Sequence, residues 1–170
     1  KKNKVTILTG SKNIDHKLIQ EVKKYGIKVV VYKSYLNKIG LYFMPGLLYD
    51  NSVFDGKQIF HLHLYRSFQN LIIILKAKFF KIPCVLDAHG SIPTHNIRSL
   101  KKHFYDFLFK KFTINNVRVF IAENNLSYNE CISLGVPKKK IRIINPPFPV
   151  EEYDNIQNLD LLKIFYGIKE

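Results

Sequence analysis

A doubly wound α/β domain, built on a mainly parallel sheet with helices on both faces, is what this 170-residue sequence predicts. Three observations lead there. Apolar, β-rich runs alternate with segments of helical period along the chain. Several connections between runs are one helix long, which forces parallel pairing. "IPCVLDA" (82–88) is a continuous apolar run, as expected of a parallel strand covered on both faces.

The elements follow in order. "KVTILT" (4–9) reads as the first strand, and 13–26 as a helix with Ile14, Leu18, Ile19, Val22 and Tyr25 on one side. Asn13 is the expected cap, and Lys23, Lys24 and Gly26 the expected end. "IKVVVYK" (27–33) is the second strand. Residues 34–57 mix Tyr, Phe, Gly, Pro and Asp and predict only a short strand near Leu41 to Met44. "KQIFHLHL" (57–64) is a strand; Ser67 caps a helix reaching about Phe80, apolar almost all round and so expected to be buried on more than one side. After 82–88 come a long helix within 96–115, a strand at 117–122, a helix over 125–134 stopped by Gly135 and Pro137, and a last strand at 140–145.

Composition narrows the classes. Hydrophobic residues at 46% and charged residues at 24% exclude a disordered or collagen-like chain. The longest clean apolar run, "LIIIL" (71–75), is far below a membrane span, and the opening residues lack the apolar core of a signal peptide. Cys84 and Cys131 lack metal-ligand spacing and predict buried free thiols in a reduced, intracellular protein. A formal charge of +14, from 27 Lys+Arg against 13 Asp+Glu, favours an anionic partner without choosing among nucleic acid, anionic lipid and a phosphorylated ligand. A solvated Lys-rich surface explains the charge equally well.

In open α/β sheets ligands bind beyond the carboxyl ends of the strands, where "HGSIP" (89–93) falls. His89 can exchange a hydrogen bond with a ligand hydroxyl there, Gly90 lets the backbone approach it, and Ser91 continues the polar segment. Gly10 and Ser11, between the first strand and first helix, can turn backbone N–H groups toward an anion, although no GxGxxG is present. His63, Tyr65 and Arg66 lie at or past another strand end, placed for a sugar or phosphate. A plain turn, or a helix-entry loop, is the structural alternative at each. A zinc site from His61, His63 and His89 is disfavoured, because His61 is expected deep in its strand and no carboxylate partner is evident. No metal or cofactor is expected. The helix 99–112 sets Leu100, Phe104, Phe107, Leu108 and Phe112 against Lys101, Lys102, Lys110 and Lys111, a pattern that suits an anionic membrane surface as well as an ordinary surface helix.

"FHLHLYRSFQNLIIILKAKFFKIPCVLDAHGSIP" (60–93) followed by "LGVPKKKIRIINPPFPVEEY" (134–153) resembles the N-terminal half of a family-4 glycosyltransferase of the GT-B fold. The shared pattern is a His-x-His strand end, a helix, A-K-x-x-x-I-P-x-V-x-x-x-H-G, a long helix, and G-V-P-x-x-K-I-x-x-I-x-N before a hinge. The resemblance implies a Rossmann-like acceptor-side domain over 1–150, with 151–170 as hinge and start of an absent nucleotide-sugar-binding domain. It implies retaining transfer of a sugar from a nucleotide-sugar to a hydroxyl of a glycan or lipid-linked acceptor, for a cell-surface polysaccharide or glycoconjugate. His89 would reach the donor sugar, and the Gly10 loop would underlie the diphosphate or acceptor. The chain alone would be inactive, and the enzyme cytoplasmic or peripheral at the inner membrane face. Pro146 stands where the family has glycine, and Asn124 and Asn125 where serine is common. Two rivals remain: a basic non-catalytic module for anionic membrane or RNA, with no RNA-recognition signature, and a Rossmann-type nucleotide-sugar modifying enzyme, which the missing GxGxxG opposes.

Overall fold

The computed structural model describes residues 3–36, 42–54, 58–93 and 99–147; the hinge expected at 151–170 lies outside them. The chain opens with β1 (Thr6–Gly10), α1 (His16–Lys24) and β2 (Lys28–Tyr32), the two strands pairing in parallel with Gly10 opposite Tyr32. Asp15, not Asn13, caps α1: its carboxylate accepts from Lys17 N at 2.8 Å and Leu18 N at 3.2 Å. Asn13 instead stands at φ 57, in the left-handed region, so it belongs to the turn before the cap. Gly26, at φ 76, ends the helix as expected.

β3 (Tyr35–Leu36) and β4 (Tyr42–Phe43) pair antiparallel, so a strand lies within the expected 41–44. One helical turn, α2 (Gly46–Tyr49), follows unforeseen. The remaining elements are β5 (Phe60–His63), α3 (Phe68–Phe79), β6 (Cys84–Asp87), α4 (Ser99–Asn116), β7 (Val119–Ala122), α5 (Asn125–Leu134) and β8 (Ile141–Ile143). β5, β6, β7 and β8 lie side by side in that order, all parallel. The register sets Leu62 beside Leu86 and Leu86 beside Phe120, and all three are buried. Each such side chain contributes about 1.5–3 kcal/mol of burial, and this row is the spine of the core.

Ser67 caps α3 as expected, but the helix is not buried all round. Ile73, Ile74 and Ala77 are buried, whereas Leu75 and Phe79 are 57% and 80% exposed. On α4, Leu100, Phe104, Phe107 and Leu108 are also exposed, because the helix turns a different edge inward. Tyr105 and Phe109 on that edge meet Phe68 edge-on, with ring centroids 5.8 and 6.0 Å away. α5 has a full capping box, Asn124 with Ser127. Cys84 and Cys131 are free and buried, and burial pushes both thiols up to about 11.

The β1–β2 ladder stays separate from the four-stranded sheet. β1 and β5 flank a crevice of about 970 Å³. Elsewhere a lysine ties the layers together. Lys140 Nζ donates to the carbonyls of Ile114, Asn115 and Val117 at 2.6, 3.2 and 2.9 Å, closing the C-terminal end of α4. Lys140→Met leaves these carbonyls without their cation and is expected to destabilise the domain by about 1–3 kcal/mol, read as a lower urea midpoint at unchanged slope.

Candidate functional site

The parallel register delivers His63 beside Asp87, and Asp87 beside Ile121, at the carboxyl ends of β5, β6 and β7. Two residues past Asp87 comes His89; two past Ile121 comes Glu123. The mouth of the sheet therefore gathers two imidazoles and two carboxylates. His89 Nδ1 lies 2.7 Å from Glu123 Oε1, and His89 Nε2 lies 2.7 Å from His63 Nδ1. The planes of the two imidazoles differ by 6° with centroids 5.0 Å apart, so the rings meet edge to edge along one line. Asp87 accepts the backbone N–H of His89 at 3.3 Å. His61, expected to be deep in its strand, is exposed and stacks on His63 with centroids 4.6 Å apart. Desolvation, then the neighbouring His61 and His89, hold His63 below the usual imidazole range, while Asp87 opposes them.

The backbone here is held in costly conformations. Leu64 at φ 68 and His89 at φ 44 are non-glycine residues in the left-handed region, just past β5 and β6. Buried Asn70 stabilises the first of these turns: its Nδ2 donates to His63 O at 2.9 Å and Leu64 O at 2.7 Å. Leu64 N donates across to Asp87 O at 2.9 Å. Gly90, at φ 65, completes the second turn with open space where a side chain would stand.

Asp87, His89 and Glu123 each offer a ligand atom within 4.8 Å of the others, the grouping a cation would need. Neighbouring ligand atoms around a zinc ion at about 2.1 Å stand about 3.4 Å apart. The 2.7 Å from His89 Nδ1 to Glu123 Oε1 is a hydrogen bond, and this pair would have to open to admit an ion. The direct bond between His63 and His89 equally leaves no space for an ion between those nitrogens.

Several residues singled out in the sequence have other work. Tyr65 is buried with its ring edge-on to Tyr105, so it packs in the core and does not reach a sugar. The Arg66 guanidinium grips the Asp106 carboxylate in two bonds, 3.0 and 2.6 Å, and donates to Ser91 O and Ile92 O. It clamps α4 to the segment after β6, and its charge is neutralised before any phosphate arrives. Ser91 Oγ accepts from Tyr65 N at 2.8 Å and donates to Ala88 O, holding the two strand ends together. Gly10 is required by packing, since a Cβ there would stand 2.9 Å from Ser34 Oγ. Ser11 Oγ accepts from Ser34 N at 3.1 Å, and Lys12 N donates to Ser34 Oγ at 2.9 Å. The helix start expected to attract an anion is already occupied by the Asp15 carboxylate, so this loop serves first as a brace. Gly10 and Lys12 nevertheless line the crevice with His61 and His63.

Glu123, Asp87, Asn70 and Asp106 were not singled out in the sequence. Asp87 had a legible signal, a carboxylate inside an apolar strand two residues before the histidine. Glu123 had a weaker one, a charge closing the apolar run "VRVFIA".

Parallel strands ending in a polar mouth define the class, an α/β domain of the kind in which ligands bind at strand ends. The sequence pattern of Glycosyltransferase Family 4 matches residues 1–152, and the chain belongs to that family. No curated protein sequence matches the chain. Among solved structures it is similar to Anabaena HepE, crystallised with UDP (TM-score 0.59, 13% identity, 97% of this chain and 50% of that one). The HepE structure with UDP and glucose gives a TM-score of 0.58 at 14% identity, covering 94% of this chain and 42% of that one. The structure with UDP-glucose gives 0.56 at 12% identity, covering 95% and 50%. These likenesses establish the fold, that of one half of a GT-B enzyme. The chain spans about half the length of the HepE chains it matches.

The clamp between Arg66 and Asp106 has a measurable consequence. In a double-mutant cycle with Arg66→Met and Asp106→Leu, the two losses should be non-additive, with a coupling of about 1–3 kcal/mol in urea unfolding. Additive losses would show that the pair does not act as a unit.

Proposed function

We propose that this domain is the acceptor-side half of a retaining glycosyltransferase, which moves a sugar from a nucleotide-sugar to a hydroxyl of a glycan or lipid-linked acceptor. The observation that carries the reading is the meeting of His63, His89 and Glu123 at the mouth of the parallel sheet, in a chain of this family. HepE, whose fold it shares, binds UDP and UDP-glucose. The nucleotide-sugar would lie between this domain and a second α/β domain, and closure of the two would exclude water from the transferring sugar. The domain alone would then turn over little or nothing. No resident metal or cofactor enters this scheme. The leaving diphosphate would be stabilised by positive groups and helix N-termini. In the complete enzyme, His89→Ala should lower turnover at least about tenfold, the scale of one lost proton-transfer or transition-state contact. Turnover equal to wild type would remove His89 from the site.

The exposed row Leu100, Phe104, Phe107 and Leu108 on α4, among lysines, favours a second element of the reading. Through it the protein would rest on the anionic inner face of the membrane, where a lipid-linked acceptor or growing cell-surface polysaccharide is found. Among the described residues no helix is long and apolar enough to cross a membrane. Phe104→Ser with Phe107→Ser should weaken sedimentation with phosphatidylglycerol vesicles severalfold and leave binding to neutral vesicles, already weak, unchanged. Undiminished vesicle binding, or steeply salt-dependent binding to RNA instead, would overturn this element.

A further inference from the structure

We propose that Glu123 is a positioning residue: through Nδ1 it holds the His89 ring so that Nε2 is the nitrogen offered to the transferring sugar. This rests on the transferase reading above and assigns how His89 is held within its site.

Two carboxylates lie near His89, and the geometry divides their work. Glu123 Oε1 stands 2.7 Å from His89 Nδ1, a hydrogen-bond distance. Asp87 Oδ1 is 3.5 Å from the same nitrogen and accepts instead the backbone N–H of His89 at 3.3 Å. Asp87 thus serves the backbone, which stands at φ 44, and Glu123 serves the ring. The pairing of β6 with β7 sets this up. Asp87 lies opposite Ile121, and His89 and Glu123 are the residues two past each, at the mouth of the sheet.

A carboxylate only accepts, so the bond to Glu123 requires a proton on His89 Nδ1 whether the imidazole is neutral or cationic. Only Nε2 is left to change partners. In this structure it meets His63 Nδ1 at 2.7 Å. Water reaches both side chains, His63 being exposed and the His89 side chain 38% exposed. A hydrogen bond at the surface is exchanged at little cost, because another polar group replaces it. A sugar hydroxyl suits this atom, since it can donate to a neutral Nε2 or accept from a protonated one. His63 therefore holds the place that the hydroxyl would take. The contact orients the sugar and takes no proton from the attacking group, so it is compatible with retention at the anomeric carbon. Without Glu123 the neutral ring is free to carry its proton on either nitrogen and to turn about its own axis.

Two measurements test this, and they fail independently. The first is a long-range ¹H–¹⁵N correlation spectrum of the complete protein, ¹⁵N-labelled in its histidine rings, recorded with the rings neutral and with His89 assigned through His89→Gln. The His89 proton should sit on Nδ1 in wild type and in Glu123→Gln, whose amide oxygen still accepts, and should spread to Nε2 in Glu123→Ala. A wild-type ring protonated on Nε2, or one unchanged by Glu123→Ala, would overturn the assignment whether or not the protein transfers sugar. The second is kinetic. Glu123→Ala should lower kcat at least about tenfold, and Glu123→Gln should stay within about threefold of wild type. In the His89→Ala background Glu123→Ala should cost nothing further, because its effect runs through that ring. Losses that multiply, or a Glu123→Gln variant as slow as Glu123→Ala, would overturn the positioning role. Glycosyl transfer being absent in wild type would overturn the functional reading and leave the spectroscopic result standing.

Discussion

The parallel register of β5, β6 and β7 is the constraint from which the rest follows. It aligns Leu62, Leu86 and Phe120 as one buried row, and one step later it aligns His63 with Asp87. Core and site are consecutive rungs of the same ladder. A slip of one residue would send the imidazole of His63 to the opposite face and Leu62 out of the core together. The apolar row thus holds the polar mouth in register, and burial of three large side chains stabilises an arrangement that strained turns at Leu64 and His89 oppose.

Around that ladder, polar contacts act mostly as braces. Arg66 on Asp106, Asn70 under Leu64 and Lys140 on the end of α4 each join two elements that backbone pairing does not join, and Ser91 ties the ends of the paired β5 and β6. Arg66 and Lys140 are engaged inside the fold, while the formal charge of +14 already sets Asp106 against Arg66. Among the described residues, the exposed Leu100, Phe104, Phe107 and Leu108 of α4 and the crevice beside β1 carry no such brace, although Lys102 of α4 donates to Pro93 O. The first suits a surface partner; the second suits a small ligand reaching His63.

The fold was largely legible in the sequence because its strongest signals are local. "CVLDAHG" shows a buried strand and its exit, and Gly26 and Gly135 mark helix ends through their left-handed backbone. Residues 34–57 are hard to read, since strands of two residues and a single helical turn are too short to display a period. The site was half legible. His63 and His89 could be placed at strand ends by pattern alone. Their partner Glu123 lies 34 residues from His89, and only the pairing of β6 with β7 brings it close. Tyr65 and Arg66 misled for the opposite reason: a polar residue past a strand end looks available until the helix packed over it is known, and α4 supplies Asp106 from 40 residues away.

A structure of the complete protein with a nucleotide-sugar and its acceptor tests the central claim most directly. The account predicts the transferring sugar at the carboxyl ends of β5 and β6, against the group formed by His63, His89 and Glu123. A ligand seated away from the carboxyl ends of β5 and β6 would contradict it.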